Sequence, residues 1–316
     1  MSTDHRLALP EGTMLQHFRI EGVLGSGGFG ITYRGWDTTL ENPVAIKEYL
    51  PSMFSVREND LTVQPKSESD RDDFVWGRER FLEEARILAR FNHPNIVSVH
   101  MFIEAHNTAY IVMEHVDGTP LSDVLDREGA MAEERVRGLM TPILSALEDI
   151  HGAGWLHRDI KPGNILLRGD GTPVLIDFGA ARYVSAAHSA SVTGVLTEGY
   201  APVEQYDSRS TRQGPWTDIY AMGVLAYRMV TGVQKFPAAT TRLLEDEVVA
   251  AADSGKDDFP AGFLAAIDWA LAIRPGDRPQ TVEEWRPALF AGDAPEDVGM
   301  ETSEETPEPP EPAPQP

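Results

Sequence analysis

His157-Arg158-Asp159-Ile160-Lys161-Pro162-Gly163-Asn164 gathers five polar, chemistry-bearing side chains in eight positions. It follows an amphipathic run, Met140–His151, and precedes a short strand pattern at Ile165–Leu167. A second strand pattern, Val174–Ile176, lies beyond a Gly169-Asp170-Gly171 turn and leads into Asp177-Phe178-Gly179. Taken singly, an aspartate in a turn usually caps it or is solvated. Here Asp159 lies between the amphipathic run and the first strand pattern, Asn164 directly before that pattern and Asp177 directly after the second.

Upstream, Gly25-Ser26-Gly27-Gly28-Phe29-Gly30 gives G-x-G-x-x-G between the strand patterns Phe18–Ile20 and Ile31–Tyr33. Glycines let the backbone approach phosphate oxygens and present N–H donors to them. The cluster alone also fits a plain hairpin turn. A dinucleotide-binding turn would need a helix directly after the glycines and an acidic residue about 20 positions on. A strand-like Ile31-Thr32-Tyr33 follows instead. Val44-Ala45-Ile46-Lys47 ends an apolar strand in a lysine, which is costly to bury unless it meets an anion. A surface lysine on an edge strand is the plain alternative. The sharper expectation is that Lys47 holds phosphates together with a carboxylate from the next helix. That helix carries Phe81, Ala85 and Leu88 at i, i+4 and i+7. Glu84, one turn before Leu88, is the expected carboxylate, with Glu79 and Glu83 as alternatives.

His93-Pro94-Asn95 stops that helix, and strand patterns follow at Ile96–Ile103 and Ala109–Met113. Beyond Asp117 the chain reads as mostly helical. Ile219–Val230 is apolar on nearly all faces, as a buried helix would be. Ala261–Leu271 and Val282–Leu289 read as later helices. The fold class is therefore α+β, a sheet-rich small lobe followed by a larger helical lobe. Residues 1–13 read as a polar leader and 14–116 as the small lobe with the segment joining it to the next. Residues 117–292 read as the large lobe. Residues 293–316 mix Pro with Glu and read as a disordered tail or linker.

Composition excludes several classes. Of 316 residues, 41% are hydrophobic, enough for a sizeable core. No run approaches the roughly 18 apolar residues of a membrane span, and the start lacks the layout of a secretory signal. There are no cysteines, so disulfides, thiolate metal sites and cysteine nucleophiles are out; a cytoplasmic location fits. Lys and Arg number 27 against 50 Asp and Glu, a formal charge of −23. That argues against nucleic acid or an anionic membrane as the main partner and permits a basic protein substrate.

In order and spacing these motifs resemble those of the eukaryotic-type (Hanks-type) serine/threonine protein kinases in their bacterial form. The resemblance runs from about Met14 to Ala291. It implies a bilobal protein-kinase-like fold, with a small β-rich N-lobe carrying one main helix and a larger helical C-lobe. It also implies transfer of the γ-phosphoryl group of ATP to serine or threonine hydroxyls of proteins. Asp159 would accept or orient the substrate hydroxyl, and Lys161 would neutralise charge on the γ-phosphate. Asn164 and Asp177 would hold Mg²⁺, or Mn²⁺ in its place, through oxygen atoms, which suits a hard cation. Lys47 would pair with Glu84, and Gly25, Gly27 and Gly30 would cover the phosphates. Met113 would back the adenine pocket, and the backbone at Glu114 and Val116 would bond the base. Leu24, Ala45, Leu166 and Ile176 would sandwich the ring. Thr32 stands where the family usually has valine and puts a hydroxyl near the purine. His157 and Phe178 would belong to the apolar column linking the lobes, with Leu88 and Val99, and do no acid–base chemistry.

The same resemblance assigns Thr193 and Thr197 to an activation segment. Thr197 would bond near the catalytic Asp and Lys. Thr193 lies where activating phosphorylation often occurs, and Arg158 would pair with the added phosphate. Asp218 is expected to brace the catalytic-loop backbone. Ala201-Pro202-Val203-Glu204 departs from the family's Ala-Pro-Glu, and Glu204 is expected to pair with Arg278. The interval from Lys47 to Glu84 is about twice the usual one, an insertion at about 51–78. It is either inert or a control on the helix carrying Glu84.

Overall fold

Alternation builds the first sheet. In Gly30–Asp37, residues Ile31, Tyr33, Gly35 and Asp37 point inward while Thr32, Arg34 and Trp36 do not, the two-residue period of a strand. A computed structural model describes residues 7–177, 199–206, 212–256 and 258–291. The chain begins with β1 (Met14–Leu15), β2 (Phe18–Gly27), β3 (Gly30–Asp37) and β4 (Asn42–Tyr49). A small hairpin, β5 (Ser55–Arg57) and β6 (Val63–Pro65), leads to helix α1 (Arg71–Leu88). Strands β7 (Val99–Ala105) and β8 (Thr108–Glu114) complete a six-stranded antiparallel sheet of order β1-β2-β3-β4-β8-β7.

Helix α1 lays Phe74, Phe81 and Ala85 on this sheet. The Tyr49 ring sits 5.5 Å from Phe74 and 5.7 Å from Phe81. Gly77 is in mid-helix, where glycine costs about 1 kcal/mol against alanine. A Cβ there would lie 2.1 Å from the Tyr49 hydroxyl, so the close approach of β4 requires it. The helix starts at Arg71. Residues 71–78 are thus two extra helical turns, and only 51–70 forms separate structure. At the other end, Leu9 is buried, and its N–H donates to the Tyr33 hydroxyl at 3.0 Å. Polar neighbours hide the apolar Leu7-Ala8-Leu9 in the sequence, and that triplet packs on the small lobe.

The large lobe opens with β9 (Gly118–Pro120), α2 (Leu121–Glu128) and α3 (Glu133–Gly152). Strands β10 (Ile165–Arg168) and β11 (Pro173–Leu175) pair with β9 in a three-stranded sheet of order β11-β10-β9. Helices α4 (Pro215–Thr231), α5 (Ala239–Leu244), α6 (Ala261–Ala270) and α7 (Val282–Leu289) follow. Helix α4 is buried along almost its whole length, as its all-round apolar pattern demands. Pro215 starts it, and Gly232, at φ +74°, ends it with a left-handed cap. Among the described residues no helix is long and apolar enough to cross a membrane.

Candidate active site

The loop between α3 and β10 is held from both sides. Arg158 has φ +66°, a region that costs a non-glycine residue energy and needs support. Buried Asp218, on α4, supplies it. Its carboxylate accepts from the N–H of His157 at 2.8 Å and of Arg158 at 2.7 Å, and lies 2.8 Å from His151 Nε2. Gln205 Nε2 donates to the Arg158 carbonyl at 2.9 Å. Burial alone would raise the Asp218 pKa; His151, His157 and the Arg158 N–H outweigh it and hold the carboxyl below its ordinary range. Asp218 thus braces the backbone as expected. His157 is wholly buried, and desolvation pushes its imidazole below the ordinary 6.5. It is a neutral core histidine.

On this clamped loop, Asn164 Nδ2 donates to the Asp159 carbonyl at 2.8 Å and to Asp159 Oδ2 at 2.6 Å. Lys161 Nζ stands 3.0 Å from the same Oδ2. The Ile176 N–H donates to the Asn164 carbonyl at 3.1 Å, tying the loop to the chain entering Asp177. Asp159, Lys161, Asn164 and Asp177 therefore share one neighbourhood.

Lys47 joins it from the other lobe. Its Nζ lies 2.5 Å from Asp177 Oδ1 and 3.5 Å from Glu84 Oε1. Among the three candidate carboxylates the fold selects Glu84, which α1 turns inward. Glu79 and Glu83 line an outer groove, where Glu83 pairs with Arg80. Burial by itself would lower the Lys47 pKa; Asp177 and Glu84 reverse this and raise it above the ordinary lysine value, so the ammonium stays charged.

Beside this cluster, Gly25, Gly27 and Gly30 lie on the β2–β3 hairpin. A Cβ at Gly30 would fall 1.9 Å from the Glu48 carbonyl oxygen, so strand contact dictates that glycine. At Gly25, Gly27 and Gly28 no atom of the described residues, chain neighbours aside, lies within 4 Å of such a Cβ, so packing among the described residues does not account for them. Thr32 is register-paired with Lys47 and Ala45 with Met113. Ala45, Met113 and Val116 are buried, and Leu166 and Ile176 pack half-buried against the same core. Leu24, three residues before the end of β2, is 50% exposed. Glu114 reaches across to Arg168 on β10 at 2.6 Å, joining the lobes beside the expected base site.

Glu204 and Arg278 do pair, at 2.7 Å, with both side chains out of water. Phe178, Thr193 and Thr197 lie outside the described residues. Sequence reasoning missed His151 and Gln205 as supports of the loop, and it missed a buried pair of Glu48 with Arg57. Arg57 stands in a polar stretch where no periodicity marks it. Glu48 at least had a signal, being a carboxylate in an otherwise apolar strand.

The protein kinase domain model matches residues 18–284. Serine/threonine-protein kinase PknL of Mycobacterium tuberculosis is 33% identical over 267 residues, covering 83% of this chain and 62% of that protein. The chain thus spans about three-fifths of the length of that relative. Among solved structures, the apo form of PpkA-294 is 38% identical with a TM-score of 0.81, covering 90% of this chain and 99% of that one. Rad53 1-466 in complex with AMP-PNP is 26% identical with a TM-score of 0.64, covering 87% of this chain and 66% of that one. With the family model spanning most of its residues and its two lobes built as in those structures, the chain belongs to the protein kinase domain family.

Proposed function

We propose that the protein binds ATP with a divalent cation between its lobes and transfers the γ-phosphoryl group to serine or threonine hydroxyls of proteins. The observation that carries this reading is the meeting of Lys47 with both Glu84 and Asp177 beside the clamped Asp159, Lys161 and Asn164. Adenine lies between Leu24 and Ala45 on one side and Leu166 and Ile176 on the other. Met113 stands behind it, Thr32 close by, and the backbone at Glu114 and Val116 bonds its edge. Gly25, Gly27 and Gly30 cover the phosphates, and charged Lys47 binds them while Glu84 keeps it aimed.

Asn164 and Asp177 would hold Mg²⁺, or Mn²⁺ in its place. Among the described residues no three His, Cys, Asp or Glu side chains gather as a metal cage. Two oxygen-bearing side chains suit a cation that takes its other ligands from phosphate and water. The cation supplies charge neutralisation on the phosphates. Asp159 orients the substrate hydroxyl and takes its proton, and Lys161 neutralises charge on the group in transfer. The net charge of −23 supports a basic protein substrate and argues against nucleic acid. A need for ATP supports a cytoplasmic site of action. The segment holding Thr193 and Thr197 is the proposed target of autophosphorylation, with Arg158 pairing the new phosphate.

Transfer of labelled phosphate from ATP to a basic peptide tests the reading. Asp159→Asn should lower kcat by about 100- to 10,000-fold while ATP binding persists. Full transfer by that variant would refute it. Intact mass with and without ATP tests autophosphorylation; no gain, or sites wholly outside 180–197, counts against it.

A further inference from the structure

The chain leaving β4 and the inserted stretch that follows it both touch the glycine loop. The Leu50 N–H donates to the Phe29 carbonyl at 3.0 Å and the Ser52 N–H to the Gly28 carbonyl at 3.1 Å. A turn fixes Ser52: the N–H groups of Phe54 and Ser55 donate to the Pro51 carbonyl at 3.2 and 2.9 Å. Lys66 closes the turn from outside, its Nζ donating to the Ser52 carbonyl at 2.6 Å and the Met53 carbonyl at 3.2 Å.

The far end of the stretch is anchored in the small lobe. Arg57 and Glu48 pair with side chains 5% and 0% exposed. The Tyr33 hydroxyl donates to Glu48 Oε2 at 2.7 Å, and Arg57 Nε donates to the Leu7 carbonyl at 2.7 Å. The Val63 N–H donates to the His106 carbonyl at 2.8 Å, and Asn107 Nδ2 donates to the Val63 carbonyl at 2.9 Å. The hairpin is thus tied to β3, β4 and the β7–β8 turn.

In a trans peptide the C=O and the N–H of one unit point opposite ways across a rigid plane. Holding the carbonyls of Gly28 and Phe29 therefore sets the directions of the Phe29 and Gly30 N–H groups. We propose that Leu50–Lys66 is a brace that orients the peptide units at the tip of the glycine loop. Ser52 and Lys66 are then positioning residues for the triphosphate. This rests on the ATP site proposed above and extends it: the insertion acts on the flap, through backbone atoms, and not only on the helix carrying Glu84.

Ser52→Pro is a selective probe. Ser52 is exposed and follows Pro51 at the second position of the turn, a place proline favours. The substitution deletes the N–H given to Gly28 and little else. Lys66→Ala removes the outer closure, and Lys66→Arg keeps a donor. Calorimetric affinities for ATP and adenosine are measured on each full chain, with apo melting curves. Ser52→Pro and Lys66→Ala should each weaken ATP by about fivefold, the value of one hydrogen bond. Adenosine affinity should stay at the wild-type value, apo melting should fall by no more than about 3 °C, Lys66→Arg should restore ATP binding, and the KM for ATP should rise more than kcat falls. Unchanged ATP affinity in both variants overturns the brace, as does an equal loss for adenosine. A wild-type chain that binds no ATP overturns the underlying site instead.

Discussion

Removing either partner of the Glu204–Arg278 pair should destabilise the large lobe, but by unequal amounts. Glu204 accepts from Arg278 at 2.7 and 3.3 Å and from the Thr217 hydroxyl at 3.0 Å. Arg278 also donates to the carbonyls of Ala272 and Ile273, both at 2.7 Å, and of Trp216 at 3.3 Å, and its guanidinium lies 4.7 Å from the Tyr220 ring centre. Breaking a buried pair costs about 3–5 kcal/mol, because one charge is left uncompensated. In Glu204→Gln the guanidinium keeps three carbonyls and a ring, which puts the loss near the lower figure, about 3 kcal/mol. In Arg278→Met a carboxylate 2% exposed keeps only the Thr217 hydroxyl among the described residues, and three carbonyls lose a donor. That loss should reach about 5 kcal/mol. At about 2 °C per kcal/mol for a chain of this size, melting should fall by roughly 6 and 10 °C. Urea denaturation followed by tryptophan fluorescence gives the free energies. The double variant should cost less than the two single losses combined, since the second change strands no further charge. A larger loss for Glu204→Gln than for Arg278→Met, or strict additivity, would refute the reasoning.

Glu84→Gln should keep nucleotide binding but lower kcat/KM by roughly thirtyfold, about 2 kcal/mol for a charged hydrogen bond; steady-state transfer checks this, and a change under threefold would speak against Glu84 aiming Lys47. Burial holds His157 below 6.5, so the unfolded chain takes up that proton first as pH falls. Its stabilising contribution is whole above about pH 6.5, shrinks below it, and levels off once His157 itself is protonated. Between about pH 7.5 and 5.5 the wild type should therefore lose more urea stability than His157→Phe; equal losses would contradict the assignment. Gly30→Ala should destabilise the apo protein by about 1–3 kcal/mol through the clash with the Glu48 carbonyl. Gly27→Ala, with nothing within 4 Å among the described residues, should leave apo melting unchanged, and a matching loss there would show that packing dictates both glycines.

Much of this fold was readable from local order. The runs Phe18–Ile20, Val44–Lys47, Ile219–Val230 and Val282–Leu289 all lie in elements of the expected type, because a period of two or an all-round apolar face can be satisfied in few ways. Helix α1 is the exception: it begins at Arg71 and so absorbs part of the expected insertion. Its first turns are polar outside and depend on Phe74 packing on Tyr49, a contact between residues far apart in the chain. The buried Leu9 and Arg57 escaped notice for the same reason, since each acquires its meaning from Tyr33 or Glu48.

The residue types and spacing of Asp159, Lys161, Asn164 and Asp177, and the glycine cluster ahead of Lys47, were already legible in the linear chain, because Asp159, Lys161 and Asn164 share one short loop and a hairpin of two short strands returns the chain to it at Asp177. Which glutamate meets Lys47, what holds Arg158 at φ +66°, and what the insertion grips were decided only on folding. Those choices turn on which helix face points inward and which strands become neighbours. Both are settled by burial and by the pairing of groups too distant in sequence to influence one another before the lobes assemble.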